Sequence, residues 1–560
     1  MDAARYPRWT IRWGVAATAG ATAIALAACP AVAGAETLPS GTSGNAASAW
    51  SDGSWGDLLA DVTAKDSYGR NAAQRDPGSL FTVERSIGAR AIWNRRDGQG
   101  RNVTGQGVGV AVLDSGINQV PGLDDAGKVS YGPDLSIEEN GPLADQDTYG
   151  HGTFMAGIIG GRSSDLPSWA LAGAPADAQL GVAPDTELLA LKLATTDGST
   201  DVSQVIAALD WVTEHPVLPD GTPIRVINLS YGTDSSQPYQ LDPLAAAAEN
   251  AWRHGIVVVT SVGNSGTETG RVTDPAIDPY LLSVGAADSS DRIDGWQHDR
   301  TKKADFSSVG TDSRHADLLA PGTSLVSDRV PGSYVDENYP GGRVKGDTTG
   351  RLFRGSGTSQ AAAVVTGAVA DLLQAYPSLT PDQVKYALLD GAQPVHGPAN
   401  GNGAGIINLP ATFDSANHLL RSDRDGATAR AAAVQSFPQS TGAGSIDAAR
   451  AGSVLVDADG NDLSGEIDVM GNAWDPAAWY QASSTLTAWS GGSYLGTQWT
   501  GDDWEQGTGL SSARWSSARW SSARWSSARW SSARWSSARW SSARWSSARW
   551  SSARWSDFEW

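Results

Sequence analysis

The sequence has one cysteine, Cys29, three methionines, seven phenylalanines and seven histidines in 560 residues. A lone cysteine excludes an internal disulfide, so the fold must rest on packing, ions or partners even outside a cell. After residue 28 no apolar run is long enough to cross a bilayer, which excludes a multi-span membrane protein. Basic residues are in deficit: 41 Lys and Arg against 61 Asp and Glu give a formal charge of -20, which argues against nucleic acid as a partner of the body. Hydrophobic residues make up 40% of the chain, enough for a full-sized core and too many for a wholly disordered chain. The length exceeds one ordinary core, so a domain with substantial extra segments is expected. The composition is uneven. From Ser511 onward nine arginines meet only Asp557 and Glu559, so residues 1–510 are seven charges more negative than the whole. Of 24 tryptophans, nine precede residue 300 and fifteen lie from Trp474 onward.

At the N-terminus, Arg5, Arg8 and Arg12 precede a small-residue apolar run from Gly14 to Ala28, the pattern of a secretory signal peptide over residues 1–35. Ala31-Val32-Ala33 or Ala33-Gly34-Ala35 offers a cleavage site. Leu26-Ala27-Ala28-Cys29 resembles a lipobox, which would anchor the protein by a lipid on Cys29. A secreted or cell-surface protein is expected on either reading.

Between about residues 107 and 393, β-branched runs alternate with helical patterns, which predicts an α/β fold with a mainly parallel sheet covered by helices on both faces. Expected strands are Gly107 to Leu113, Glu187 to Leu193, Ile224 to Ser230, Ile256 to Val262 and Leu281 to Ala286. Asp201 is placed to cap a helix carrying Val205, Ile206, Leu209 and Val212, and Thr380-Pro381-Asp382-Gln383 forms a capping box. Gln360 to Tyr376 is apolar almost all round, so it is expected to be a buried central helix.

Chemistry in such folds gathers at the carboxyl ends of the strands. Asp114 ends the first strand; singly it reads as a turn or cap residue. His151 lies between glycines in Asp147-Thr148-Tyr149-Gly150-His151-Gly152-Thr153, and Ser359 lies where Gly355-Ser356-Gly357-Thr358 meets the buried helix. An aspartate that orients an imidazole, a histidine that accepts a proton and a serine that attacks a carbonyl make a nucleophilic triad, and the order Asp, His, Ser is that of subtilisin.

These three segments resemble the active-site signatures of the subtilases, the subtilisin-like serine peptidases. Gly181-Val182-Ala183-Pro184 resembles the family turn before a core strand, and Val226-Ile227-Asn228-Leu229-Ser230-Tyr231-Gly232 resembles the strand that pairs with substrate. Val262-Gly263-Asn264-Ser265-Gly266 resembles the oxyanion-hole segment. The resemblance covers residues 79–410 and implies a subtilisin-like three-layer fold. It implies an exported endopeptidase acting on protein or peptide substrates through Asp114, His151 and Ser359. Asn264 would be an oxyanion donor, and Ser230, Tyr231 and Gly232 would bind substrate. The competing reading is a catalytically inactive scaffold acting as an envelope-binding or adhesive protein.

Gln360 and Ala363 depart from the family's usual Met and Pro-His-Val after the nucleophile. Residues 36–78 are short and polar, a linker or short pro-region. No cofactor is identified. Family resemblance makes calcium conceivable, yet Leu166 to Leu180 contains no recognisable calcium loop, and Asp457-Ala458-Asp459-Gly460-Asn461 reads as a turn.

Pro394 to Pro410 reads as a linker, and residues 411–473 carry no interpretable motif. Ser-Ser-Ala-Arg-Trp then runs in nine perfect copies over 511–555. The five-residue spacing starts upstream, at Trp474, Trp479, Trp489, Tyr494, Trp499 and Trp504. Five residues advance a helix by about 500°, and an odd period alternates faces on a strand, so neither gives one apolar stripe. A solenoid or a low-complexity tail remains, and disorder is favoured because perfect identity records duplication more often than packing. Arg beside Trp suits anionic envelope polymers.

Overall fold

The computed structural model describes residues 67–136, 143–163, 165–198, 200–288, 301–452, 455–456, 462–463 and 466–499. The expected signal peptide with Cys29, the Asp457–Asn461 turn and the perfect repeat lie outside these residues.

The five apolar runs form β1 (Gly109–Asp114), β3 (Glu187–Lys192), β4 (Ile224–Leu229), β5 (Val257–Ser261) and β6 (Leu282–Asp288), each starting and ending within two residues of expectation. They are joined by β2 (Val129–Tyr131), β7 (Lys302–Lys303) and β8 (Leu318–Pro321). The order is β2-β3-β1-β4-β5-β6-β7, with β8 also on β6. Only β6 with β7 is antiparallel. All of β1 and β5 is buried, as a strand covered on both faces requires. The register sets Asp114 beside Lys192 and Val112 beside Asn228.

Helices α1 (Gly152–Gly160), α2 (Val202–Glu214), α3 (Pro243–Arg253), α4 (Thr358–Ala375) and α5 (Pro381–Gly391) cover the sheet. Helix α4 packs on α1, β4, β5, β6 and β8, while α2 and α3 pack on each other, α2 on β1 and α3 on β5. The starts of α2 and α5 follow their sequence signals. Asp201 and Gln204 close a capping box on α2, and Thr380 and Gln383 close one on α5. From Thr358 to Gln374 every residue of α4 is buried.

Three segments differ from the sequence expectation. Arg354 reaches back to Asp76 in a mostly buried ion pair, so the end of the supposed N-terminal linker is fastened to the body. Within Pro394–Pro410, Ile406 bridges both Leu319 and Gln393, which makes that stretch an edge of the body rather than a linker.

The third difference is the upstream part of the five-residue pattern. Trp474, Trp479, Trp489, Tyr494 and Trp499 are all buried. Helix α6 (Pro476–Ser484) follows Trp474, and the short antiparallel strands Trp489–Ser490, Ser493–Tyr494 and Thr497–Gln498 follow it. The loops Gly491-Gly492 and Leu495-Gly496 have positive φ at both positions, the two-residue hairpin turn that matches strand twist. A tight turn between aromatics reverses the chain, so Trp489 and Tyr494 become directly paired and share a face. The alternation expected of a straight strand does not apply.

Candidate active site

Asp114 is the last residue of β1 and is fully buried. Its Oδ1 and Oδ2 lie 2.8 and 2.9 Å from His151 Nδ1. A carboxylate only accepts, so Nδ1 carries the proton and Nε2 presents the lone pair. His151 immediately precedes α1, and the next residue must be small: a Cβ on Gly152 would lie 2.1 Å from the Gly116 carbonyl oxygen and 3.1 Å from Asp114 Cβ. The absent side chain lets α1 begin against the end of β1.

Asp147, quoted in the histidine motif but given no role from sequence, organises that loop. Its Oδ1 accepts from Gly150 N at 2.6 Å and Ser115 Oγ at 2.7 Å, and its Oδ2 accepts from Thr153 N at 2.8 Å. Gly152 N donates to Ser115 Oγ at 2.9 Å. Burial pushes the Asp147 carboxyl up, and these donors oppose the rise. An aspartate three residues before a glycine was the available signal, since such side chains fold loops by binding backbone N–H groups.

Ser359 is buried in the first turn of α4, behind Gly357 and Thr358. Ser359 and Ser230 exchange long contacts: Ser359 Oγ to Ser230 O is 3.5 Å and Ser230 Oγ to Ser359 O is 3.4 Å. Asn264 is half-buried, and its Oδ1 accepts from Thr358 N at 2.9 Å and Thr358 Oγ1 at 3.0 Å. The amide oxygen is thereby fixed beside the serine's neighbour. Ser230 to Gly232 continue β4 past its end. Tyr231 is fully buried in the core, and a Cβ on Gly232 would meet Thr273 Oγ1 at 2.6 Å.

The structure thus joins Asp114 with His151, Ser359 with Ser230, and Asn264 with Thr358. The helices that start beside His151 and Ser359 pack against each other. Asp177 is the one acidic residue of Leu166–Leu180 and pairs with Arg70. Among the described residues no group of three His, Cys, Asp or Glu is arranged to hold a metal.

Nucleophilic hydrolysis is the chemistry an imidazole oriented in this way serves. The chain belongs to the subtilase family, whose model matches residues 105–405. It is 33% identical over 316 residues to serine protease AprX of Bacillus subtilis, covering 55% of this chain and 66% of that protein, just under two thirds of its length. It is 32% identical over 311 residues to subtilisin Savinase of Lederbergia lenta, covering 56% of this chain and 92% of that one. A solved structure, a cold adapted subtilisin-like serine proteinase, aligns at 25% identity and TM-score 0.42, covering 58% of this chain and 98% of its own.

Proposed function

We propose that this chain is an exported serine endopeptidase working through Asp114, His151 and Ser359. The observation that carries the reading is the paired contact of His151 Nδ1 with both Asp114 oxygens, within a chain of the subtilase family. In this mechanism Ser359 Oγ attacks the scissile carbonyl as His151 Nε2 takes its proton. Collapse of the tetrahedral adduct expels the amine, which leaves with that proton, and water then resolves the acyl-enzyme by the same route. Asp114 holds the imidazole tautomer and stabilises its cation. The Asn264 amide and the Ser359 N–H, at the start of the long helix α4, stabilise the oxyanion. Ser230 to Gly232 receive the substrate backbone as an added strand.

A fluorophosphonate probe tests the assignment. Wild-type protein should be labelled and Ser359→Ala should not; folded wild-type protein that stays unlabelled would refute it. The Trp/Arg array is assigned to retention on anionic envelope polymers. Deletion of residues 500–560 should move the protein from the cell wall to the medium, and unchanged partitioning would refute that role. The cut belongs after Trp499 because the aromatics before it are buried in the body.

A further inference from the structure

Directly after the stretch proposed to receive substrate, the chain is gripped by the C-terminal extension. Thr233 Oγ1 donates to Ala449 O at 2.7 Å, and Thr233 and Asp274 exchange backbone hydrogen bonds of 2.9 Å. Four residues further on, Gln237 Nε2 donates to Ser445 O at 2.7 Å and Gln237 Oε1 accepts from Ser445 N at 2.9 Å. Arg450 follows Ala449 and is 2% exposed. Its Nε lies 2.7 Å from Asp201 Oδ2 and its Nη2 lies 3.2 Å from Asp201 Oδ1, a two-pronged pairing that fixes geometry as well as charge. Asp201 is in turn the N-cap of α2 and binds Ser203 N at 2.9 Å.

Tyr231 lies within this frame. Burial, then the charges of Asp201 and Asp274, hold its phenol far above the ordinary value, and Arg450 opposes them. On the other side, Ser230 touches Ser359. A continuous line of contacts therefore runs from the nucleophile through Ser230–Thr233 to Ala449, Arg450 and Asp201.

We propose that Arg450 and Thr233 are positioning residues for substrate binding, through which the C-terminal extension holds Ser230–Gly232 in register for an extended peptide. This rests on the peptidase reading above. A strand-like peptide gains main-chain bonds at about every second residue it lays along the receiving segment. A loosened segment therefore costs long substrates more than short ones, while the nucleophile and its base keep their own supports, Asp114 and α4.

The test compares Thr233→Val, which removes one donor at constant shape, and Arg450→Lys, which keeps the charge and loses the fork. Substrates are chromogenic peptide amides of one to five residues, with active sites counted by fluorophosphonate titration and folding followed by circular dichroism melting. The expected result is a KM raised roughly two- to tenfold for the longest peptide, the size of one hydrogen bond. The effect should shrink with peptide length, with kcat and labelling rate unchanged. Wild-type KM at every length in a folded, labelled variant overturns the proposal, as does a kcat loss independent of length. Absence of labelling in the wild type overturns the peptidase reading and this inference with it, and the labelling step separates the two failures.

Discussion

The indole N–H of Trp479 donates to Asp210 Oδ2 across 3.0 Å, fastening the C-terminal segment to the outer face of α2. Tyr494 OH donates to the same oxygen at 2.8 Å, and Ser483 Oγ donates to Oδ1. The neighbours on this face complete the contact: Ala207 O accepts from Trp489 Nε1 at 2.9 Å, and Glu214 Oε1 accepts from Ala488 N at 2.8 Å. Positions 207, 210 and 214 follow helical spacing, so one stripe of α2 receives Trp479, Ala488, Trp489 and Tyr494, while Asn250 of α3 donates to Ser483 O at 2.9 Å.

Burial pushes the Asp210 carboxyl up to about 6, against the pull of Ser483, Trp479 and Tyr494. Its proton is bound more tightly in the folded than in the unfolded state. The stability it contributes is therefore full below about pH 4 and lost as pH rises to 6. Relative to Asp210→Asn, which cannot titrate, wild-type stability should fall by on the order of 3 kcal/mol between pH 4 and pH 7. Urea denaturation series at matched pH values check this, and a pH-independent difference would refute it.

Ending the chain after Gly471 removes five buried aromatics that each contribute roughly 1.5–3 kcal/mol, a total comparable with the whole margin of an ordinary domain. That truncation should be insoluble or lack a cooperative melt. A chain ending at Trp499 should melt as the full chain does. Equal melting of all three would show that the segment is dispensable.

Gly152→Ala places a Cβ 2.1 Å from the Gly116 carbonyl oxygen, so the start of α1 has to retreat from β1 and take His151 with it. A shift near 1 Å at a reacting group costs about 10²-fold in rate. We expect fluorophosphonate labelling to slow by that factor or more in protein that still folds, and wild-type labelling kinetics would contradict this.

Asn264→Leu removes the acceptor of Thr358 N and, on the proposed mechanism, an oxyanion donor. Turnover should drop about 10²- to 10³-fold with KM little changed. Steady-state kinetics on a short peptide amide decide between this and a role in binding, which would raise KM instead.

Much of the body was legible because its signals are local. The runs that became β1 and β5 are apolar throughout, as a doubly covered strand demands, and the boxes at Asp201 and Thr380 announce α2 and α5 within four residues. Asp114, His151 and Ser359 were readable only as an ordered set, since each alone looks like a turn or a cap. Asp147 left only one local signal, the glycine three positions on, because its other partners, Ser115 and Thr153, are set by the fold. Arg450 was illegible for a different reason: its partner lies 249 positions away, and nothing near either residue encodes the meeting. The aromatics from Trp474 to Trp499 were visible as a period but misjudged as geometry, because helix and strand arguments assume a straight segment. The paired positive φ angles at Gly491-Gly492 and Leu495-Gly496 break that assumption.

The grip of Ala449 and Arg450 on Thr233 and Asp201 spans 216 and 249 positions, which sets an order of events for a chain made from its N-terminus. Every strand of the central sheet leaves the ribosome before Ala449 and Arg450 exist. Domains fold as units once their sequence is available, so the sheet and its helices have time to assemble with Asp201 still unpaired and the α2 stripe still bare. Closure of that edge then waits for the arrival of residues 445–499, and a ribosome stalled before them would carry the central sheet without the Arg450–Asp201 pair.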